Sequence, residues 1–445
     1  MLDTSDGVAS YQEAFDALAP SRAGDPGWLG DTRDRAMGAF ARLGFPTTRD
    51  EDWRFTNVSP IAEARFGRVR AGVQPLPAQL APFLVPGVSG AVLVFVDGRF
   101  AAGLSRVSGL PAGAFAGDLA SALRAVPELI ERHLAAHAPF DLRAFTSLNT
   151  ALFSDVAVLM VPDGAVVEAP VQLLFLSSAA APGATHPRSL ILAGENSQLR
   201  VVETYATLGA ARTFTNAVTE LVAASSAVVD HYRLQREAGL AYHVGLTQFR
   251  LGRSASVSSH SVTLGGLIAR HDAIAVLAEE GADCTLNGVY LADGQRLVDN
   301  HTEIDHAMPH GTSHEVYKGI LDGRARAVFN GRIRVRPDAQ KTDAKQTNKT
   351  LLLSDEAQIN TKPQLEIFAN DVKCTHGATV GQLNADALFY LRTRGIGLTE
   401  ARALLVKAFA SDVVSRITLE PVRLLLEALL DERLPGTAGG KAVAS

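Results

Sequence analysis

NSQLRVVETY, at residues 196–205, is the first of four similar stretches that decide the fold. SSAVVDHYRL, RSASVSSHSV and GADCTLNGVYL follow it from positions 225, 253 and 281, so the starts lie about 28 residues apart. Short alternating segments of this kind are typical of β-strands, and no helical period separates them. Strands that recur regularly without helices indicate a solenoid, in which each coil buries its apolar side by stacking on the next.

The recurrence continues further along the chain with a shorter spacing. DAQKTDAK, EAQINTKPQLEI and DVKCTHGATVG begin at positions 338, 356 and 371, about 15 to 18 residues apart. We therefore expect a mainly β fold with a β-helix core. A β-sandwich is the alternative, because spacing alone does not exclude it.

Helical patterns flank this core, and they predict four units. Residues 1–139 should form a mostly helical region, 140–385 the β-helix, and 386–433 a C-terminal helical domain. The tail, 434–445, is small and polar, and we expect it to be disordered.

Capping residues predict where individual helices begin and end. Asp31 and Gly44 should bound an N-terminal helix, while Thr399 and Thr418 should cap two helices near the C-terminus. An apolar stripe follows the helix after Thr399, and at least half of it should pack on the β core. Its members are Ala401, Leu404, Leu405, Ala408, Phe409 and Val413.

Composition narrows the class of protein. The chain has 445 residues, is 47% hydrophobic and carries a formal net charge of -5, so it offers no basic surface for nucleic acid. Its apolar runs are far shorter than the roughly 20 residues that cross a bilayer. Two cysteines make no disulfide framework, and the acidic start is unlike a signal peptide. We expect a cytoplasmic protein that does not enter the membrane.

The common nucleotide and hydrolase motifs are missing. GGKA near the C-terminus lacks the first glycine and the Ser or Thr of a P-loop. No G-x-G-x-x-G opens a helix, and no G-x-S-x-G elbow is present. We predict that this chain binds no nucleotide by itself.

Histidines are concentrated in residues 301–314. Pro309 would break a helix there, so a zinc-binding helix of the H-E-x-x-H type is excluded. On an extended strand His306, His310 and His314 would share one face. The segment is either a metal site or a set of hydrogen-bonded loop histidines, and the sequence leaves both open.

A second candidate pair lies in DVKCTHG, from position 371. If this stretch is a strand, Cys374 and His376 project from the same face. A thiolate and a neutral imidazole are good ligands for zinc or iron, but two ligands do not complete a site. Any further ligands must come from elsewhere, and a buried cysteine beside a surface histidine is the alternative.

Three blocks carry a resemblance to a known family. They are DHAMPHGTSHEVYKGILDGRARAVFNG from position 305, VRPDAQKTDAKQTNKTLLLSDEAQINTKPQLEIFANDVKCTHGATVGQL from 335, and ALFYLRTRGI from 387. FPTTRDEDWRFTNVSP, from position 45, adds to them near the N-terminus. Together they resemble the SufB/SufD family of the SUF iron-sulfur cluster assembly system, and most closely its SufD branch.

The resemblance implies a right-handed β-helix and a function inside a complex. In this family one SufB, one SufD and two copies of the ATPase SufC form the scaffold on which a cluster is built. SufC docks on the C-terminal helical domain, here through Leu404, Leu405 and Phe409. The chain would then be a non-catalytic scaffold subunit, with ATP hydrolysis belonging to SufC.

The resemblance also implies roles for single residues. Gly377 follows the histidine where SufB has glutamate, which favours SufD. His376 would lie at the interface with SufB, where a transient cluster or iron forms, and Cys374 would be a second ligand. Gly311 stands where many relatives have cysteine, which argues against a ligand role for the histidine-rich segment.

Other functions are consistent with parts of the sequence. The chain could be a SufB-type paralogue, a homodimer through the same β-helix surface, or an adaptor without chemistry. A stand-alone β-helix enzyme acting on polysaccharides would need paired carboxylates. Asp338, Asp343, Asp355 and Glu356 are available, but they fall in predicted turns.

Overall fold

The chain winds between two sheets, and in this computed structural model the winding makes a β-solenoid of about eight turns. The structure describes residues 5–64, 66–67, 74–179 and 181–433. The predicted fold class, a mainly β solenoid with helices at both ends, is confirmed. The predicted disordered tail at 434–445 lies outside the described residues.

Twenty strands among the described residues form the two sheets. They are β1 (Val92–Val96), β2 (Arg99–Phe100), β3 (Phe115–Gly117), β4 (Ala157–Val161), β5 (Val171–Ser177), β6 (Gly183–Thr185), β7 (Arg188–Ala193), β8 (Gln198–Thr207), β9 (Thr213–Ala223), β10 (Val228–Arg236), β11 (Tyr242–Leu251), β12 (Ser256–Thr263), β13 (Ile268–Leu277), β14 (Asp283–Ala292), β15 (Leu297–His306), β16 (Thr312–Leu321), β17 (Arg326–Val335), β18 (Asp343–Leu352), β19 (Gln358–Ile367) and β20 (Lys373–Gly381).

The order of the strands follows the winding. One sheet runs β2-β1-β5-β8-β10-β12-β14-β16-β18-β20 and the other β19-β17-β15-β13-β11-β9-β7-β4-β3, with β6 beside β9. The neighbours are parallel except at the first coil, where β1 pairs with β2 and β3 with β4 in antiparallel fashion. Parallel pairing of every second strand is what a solenoid requires.

The recurrence of about 28 residues corresponds to one coil. The four quoted stretches form β8, β10, β12 and β14, which are consecutive neighbours in one sheet. Leu199, Val229, Val257 and Cys284 follow one another in register and are all buried in the main core cluster. Each apolar side chain therefore stacks on the same position of the coil before it.

Helices cover the start of the solenoid. They are α1 (Ser5–Asp16), α2 (Gly27–Leu43), α3 (Ser59–Glu63), α4 (Pro77–Leu80), α5 (Leu119–Ala125), α6 (Pro127–His133) and α7 (Ala144–Leu152), with four short 3-10 turns (Ala19–Arg22, Glu51–Trp53, Ala81–Phe83 and Ala102–Leu104). The expected start of α2 at Asp31 is wrong, because the helix begins at Gly27 and so places Leu29 in the core. Gly44 does end it, with a φ of 66°.

The segment before α3 is tied to the solenoid by an aromatic ring and a buried arginine. The guanidinium of Arg270 lies 3.8 Å from the centroid of the Trp53 ring. Its Nη1 donates to the main-chain oxygen of Asp52 at 2.6 Å and to Asp299 at 3.0 Å. Because Arg270 is buried and belongs to β13, this contact fixes the N-terminal segment on the outer face of one sheet.

Three helices follow β20 and cover the outer face of the other sheet. They are α8 (Ala385–Thr393), α9 (Leu398–Val414) and α10 (Glu420–Arg433). Val406, Ala410 and Val413 pack with Tyr232 and Ile320 of the sheet in one apolar cluster. The helical domain and the solenoid therefore share a core.

The predicted caps of α9 and α10 are wrong. Helix α9 begins at Leu398 after Gly397, so Thr399 lies inside it. Helix α10 begins at Glu420, and the Thr418 hydroxyl lies 3.2 Å from that of Tyr232 instead.

No helix in the part of the chain that the structure describes is long and apolar enough to cross a membrane.

Candidate functional site

Cys374 and His376 lie on β20, and both project toward the axis of the solenoid. Cys374 is in register with Ala344 of β18, and His376 with Gln346. Ala344 and Cys374 pack in one small apolar cluster, so this face of the strand is the inner one. Since side chains alternate, His376 points the same way as Cys374.

The solenoid ends at these strands. β19 and β20 are the last strands of their sheets, and no described strand pairs with their far edges. Most residues of β20 are exposed, whereas the preceding strand of the same sheet, β18, is largely buried. We call β19, β20 and the turn between them the open end, and it presents His376 to solvent.

Apolar side chains are also exposed at the open end. Ile367 is 39% exposed, Phe368 58% and Val380 45%. Unpaired strand edges that carry apolar groups readily add further strands, so proteins usually cover them. The open end therefore has the features of an interaction surface.

The two cysteines differ in their access to solvent. Cys284 is fully buried in the core, and burial raises the pKa of its thiol. Cys374 is half-buried, and its pKa is raised by burial and by the nearby Asp343. The thiolate is the form that binds metal, so a metal ion that binds Cys374 would displace the thiol proton.

The chain does not supply a complete metal site within its described residues. No three His, Cys, Asp or Glu side chains come together there as a set that could hold a metal ion. Cys374 and His376 thus remain two candidate ligands, and any others must come from another molecule.

The histidine-rich segment does not form one face of one strand. His306 ends β15, His314 lies in β16, and His310 sits in the turn between them with a φ of 60°. His306 is buried, with Nε2 2.9 Å from the Ser313 hydroxyl, and His301 Nε2 lies 3.1 Å from Asp299 Oδ1. The geometry favours hydrogen-bonded histidines over a shared metal site.

Three of the four carboxylates of the polysaccharide-enzyme hypothesis lie in turns, as predicted, whereas Asp343 lies in a strand. Asp338 is in the turn before β18, while Asp355 and Glu356 are in the turn before β19. Asp343 begins β18 and forms an ion pair with Lys345 at 3.0 Å. Within this set we find no reason to prefer glycoside chemistry.

The apolar stripe predicted on α9 is only partly buried. Ala401 and Val413 are buried, Leu405 and Phe409 half-buried, and Leu404 is 44% exposed. The buried face is rotated toward Ala403, Val406 and Ala410. Sequence reasoning missed the larger exposed groups of this domain, which are Phe389, Tyr390, Leu398 and Leu424.

Glu315 and Gln346 form a polar pair inside the solenoid just behind His376, and sequence reasoning missed both. Gln346 Nε2 donates to Glu315 Oε2 at 2.9 Å, and both residues are buried. Burial raises the pKa of Glu315 to about 7. In DAKQTN, Gln346 alternates with the polar Lys345 and Thr347, so the sequence alone gives no sign of which face is interior.

Comparisons with known proteins agree with this architecture. The family model of the SUF system FeS cluster assembly SufBD core domain matches residues 175–409, and that of the SufBD protein N-terminal region matches residues 9–173. An iron-sulfur cluster assembly SufBD family protein of Synechocystis is 34% identical over 401 residues, 88% of each chain. The iron-sulfur cluster assembly protein SufD of Escherichia coli is 30% identical over 400 residues, which is 89% of this chain and 91% of that protein. The chain therefore belongs to the SufBD family of the SUF iron-sulfur cluster assembly system.

Proposed function

We propose that this chain is a SufD-type scaffold subunit, which pairs with SufB through its open end and binds the ATPase SufC through its C-terminal helices. A nascent iron-sulfur cluster would be assembled at the seam with SufB, on His376 and Cys374 together with groups from SufB. The cluster is cargo here, and the chain itself catalyses no reaction.

The observation that carries this proposal is that the last coil is exposed and has two candidate metal ligands on its inner face. Within the described part of the chain no strand pairs with the outer edge of β20, and the inner face of this strand carries His376 and Cys374. A second solenoid that added its own last strand would give this edge hydrogen-bond partners and cover the exposed Phe368 and Val380. It would also enclose the two ligands and add its own.

We place the SufC site on the side of the helical domain that faces away from the solenoid. Val406 and Ala410 are used to hold α9 on the solenoid, so they are not available to a partner. Leu404, predicted from the sequence, is exposed, and so are the larger Phe389 and Tyr390 of α8 in the same helical domain. Leu405 and Phe409 are half-buried, and we expect them to pack beneath the exposed side chains of the SufC site.

The C-terminal helices are also linked to the strands that lead to the open end. Lys318 of β16 donates to the main-chain oxygen of Phe409 at 2.8 Å and pairs with Asp412 at 2.8 Å. β16 is followed in its sheet by β18 and then by β20. If SufC moves the helices, the displacement can be transmitted through β16 and β18 to β20 at the seam. This arrangement supports coupling between ATP hydrolysis and the cluster site.

The first test is co-expression with SufB and SufC, capture through a tag on this chain, and native mass measurement. We expect one SufB and two SufC for each tagged chain. Phe389→Asp should reduce SufC recovery, and Val380→Lys should reduce SufB recovery. Leu142→Asp, at a leucine that is 79% exposed outside both surfaces, is the matched control. Recovery of the tagged chain alone, or as a homodimer, would contradict the proposal.

The second test separates a cluster site from an adaptor. His376→Ala should leave the complex intact and abolish maturation of iron-sulfur enzymes in cells that depend on the SUF system. Thr375→Ala, at an exposed position on the other face of the same strand, should behave as wild type. Normal maturation with His376→Ala would leave only the adaptor function.

A further inference from the structure

Gln346 occupies the position directly behind His376 on the inner face of the solenoid. We propose that Gln346, held by Glu315, is a positioning residue for His376: its amide oxygen accepts a hydrogen bond from the N–H of one imidazole nitrogen, so that the other nitrogen presents its lone pair to the seam. This inference rests on the proposed function, because it takes His376 as a ligand of the nascent cluster.

The register of three neighbouring strands places the groups in one column. Glu315 of β16 is in register with Gln346 of β18, which is in register with His376 of β20. Neighbouring strands lie about 4.8 Å apart, a distance that the flexible ends of glutamine and histidine side chains can bridge. All three side chains project inward, so the column runs along the axis toward the open end.

Two atoms of this column are without a hydrogen-bond partner, Glu315 Oε1 and Gln346 Oε1, and the second is the one that lies next to His376 in the register. Gln346 is 2% exposed, and its Nε2 is committed to Glu315 Oε2 at 2.9 Å. Its Oε1 is buried and has no hydrogen-bond partner. Buried acceptors are nearly always satisfied in folded proteins, so an orphan next to a free histidine points to a bond that forms when the site is complete.

The opposite sheet leaves space for the side chain of Gln346 and restricts its conformation. A Cβ added at Gly331 of β17 would lie 2.1 Å from Gln346 Nε2. The glutamine thus reaches across the interior and fills the space above a glycine. Because Gln346 Nε2 points toward Glu315 of β16, Gln346 Oε1 can accept a hydrogen bond from a group on β20.

The chemistry explains why a metal ligand needs such a neighbour. A neutral imidazole has one N–H donor and one lone pair, and a partner for the N–H decides which nitrogen keeps the lone pair. Histidine ligands of metals usually have such a partner, and loss of it lowers metal affinity or activity roughly 10- to 100-fold. Closure of the seam by SufB would exclude the water that otherwise serves the exposed imidazole, and Gln346 would take its place.

The test uses the full chain in the complete complex and in SUF-dependent cells. Gln346→Met keeps the length and volume of the side chain but removes the acceptor, and we expect at least a tenfold loss of iron-sulfur enzyme maturation with normal recovery of SufB and SufC. The exchange Glu315→Gln with Gln346→Glu reverses the pair: the new amide donates to the new carboxylate, whose second oxygen accepts from His376. Maturation in this double variant should return to within about threefold of wild type.

A second pair of changes distinguishes positioning from a structural role. Glu315→Met with Gln346→Met removes both members of the pair, so neither is left buried without the other. We expect this chain to unfold at the wild-type temperature and still to be deficient in maturation. Wild-type maturation with Gln346→Met or with the double Met variant would overturn the inference, as would a reversed pair that folds and assembles but gives no recovery.

The proposed function and this inference can fail separately. If His376→Ala is silent, the cluster site is wrong and Gln346 has nothing to position. If His376→Ala abolishes maturation and Gln346→Met does not, only the role of Gln346 is wrong.

Discussion

At the residue scale, the two cysteines show how position along the solenoid changes the chemistry of a side chain. Cys284 lies in a coil with neighbours on both sides, and Cys374 lies in the last coil. Burial raises the pKa of both thiols, but only Cys284 is fully enclosed. The same residue type is therefore inert in one coil and accessible in the other.

Selective alkylation should reveal this difference. In the folded chain we expect iodoacetamide to label Cys374 alone, slowly at pH 7 and faster as the pH approaches and passes the ordinary thiol value, because its raised pKa leaves little thiolate at neutral pH. Cys284 should react only after unfolding. Mass spectrometry of digested protein gives the measurement, and Cys374→Ser is the control, which should take up no label when folded. Rapid labelling of Cys284 in the native state would contradict this account of the core.

The sequence predicted part of the site at this scale. A two-residue spacing in a strand was enough to place Cys374 and His376 on one face, because alternation is a local property of the backbone. Gln346 and Glu315 were not predicted, because polar residues at alternate positions usually mark a solvent face. Only the winding of the chain, which turns that face toward the axis, shows that they are interior.

At the element scale, neighbouring strands fit together through pairs of tyrosine and glycine. Gly288 of β14 is in register with Tyr317 of β16, and Tyr290 of β14 with Gly319 of β16. A Cβ at Gly288 would lie 2.2 Å from the Tyr317 ring, and one at Gly319 would lie 2.3 Å from the Tyr290 ring. Each ring thus lies over the glycine of the adjacent strand, and both tyrosines are almost fully buried.

A methyl group at Gly288 should therefore destabilise the solenoid. We expect Gly288→Ala to lower the free energy of unfolding by about 1–3 kcal/mol, the usual cost of overpacking a core. Urea unfolding followed by circular dichroism measures the loss. Gly381→Ala is the control, because nothing lies within 4 Å of a Cβ there.

A double-mutant cycle then tests the cause. Tyr317→Leu removes the ring that the new methyl group would meet, so Gly288→Ala should cost much less in that background than in the wild type. Equal costs in the two backgrounds would mean that the ring is not the obstacle.

The strands of the solenoid were predicted well because their pattern repeats along the chain. The helix starts, which were predicted from single capping residues, were predicted less well. The spacing of about 28 residues predicted the coils, because every coil has to repeat the apolar position of the one before. The predicted helix starts at Asp31, Thr399 and Thr418 are wrong. A capping residue contributes less free energy than the burial of neighbouring apolar side chains such as Leu29. The rotated face of α9 has the same origin, since small alanines allow closer packing on the sheet than the leucines do.

At the scale of the whole molecule, the two ends of the solenoid differ. The first coil is closed by the antiparallel strands β2 and β3, and N-terminal helices pack around it. The last coil has no such strand among the described residues, and its inner face carries the candidate ligands. A solenoid closed at one end and open at the other can add one partner but cannot extend into a fibre, which suits a subunit of a defined complex.

The whole molecule should also be sensitive to acid, because many of its histidines are buried in the neutral form. Burial lowers the pKa of His260 and of His306 to about 4 and that of His186 to about 3. It also lowers the pKa of His243 and of His271. In the unfolded chain such groups bind protons below about pH 6.5, whereas in the folded chain they do so only at lower pH, so stability falls as the pH falls through this window. Glu315 acts in the opposite direction because its pKa is raised, and so do Asp155, Asp230 and Asp283.

A single histidine isolates the effect. His260 stacks on Tyr232 with ring centroids 5.4 Å apart, and its Nε2 lies 3.1 Å from the Ser258 hydroxyl. We expect His260→Gln, which keeps a polar group for Ser258, to cost some stability at pH 7.5, where the neutral imidazole packs well. Between pH 6.5 and pH 4 the variant should regain up to about 1.4 kcal/mol per pH unit relative to the wild type, because it has no proton to take up on unfolding at that position. Urea midpoints of both chains at pH 7.5, 6.5 and 5.0 measure the difference. A constant difference across this range would show that His260 titrates alike in the folded and unfolded chain, and that its burial behind α9 is not what holds it neutral.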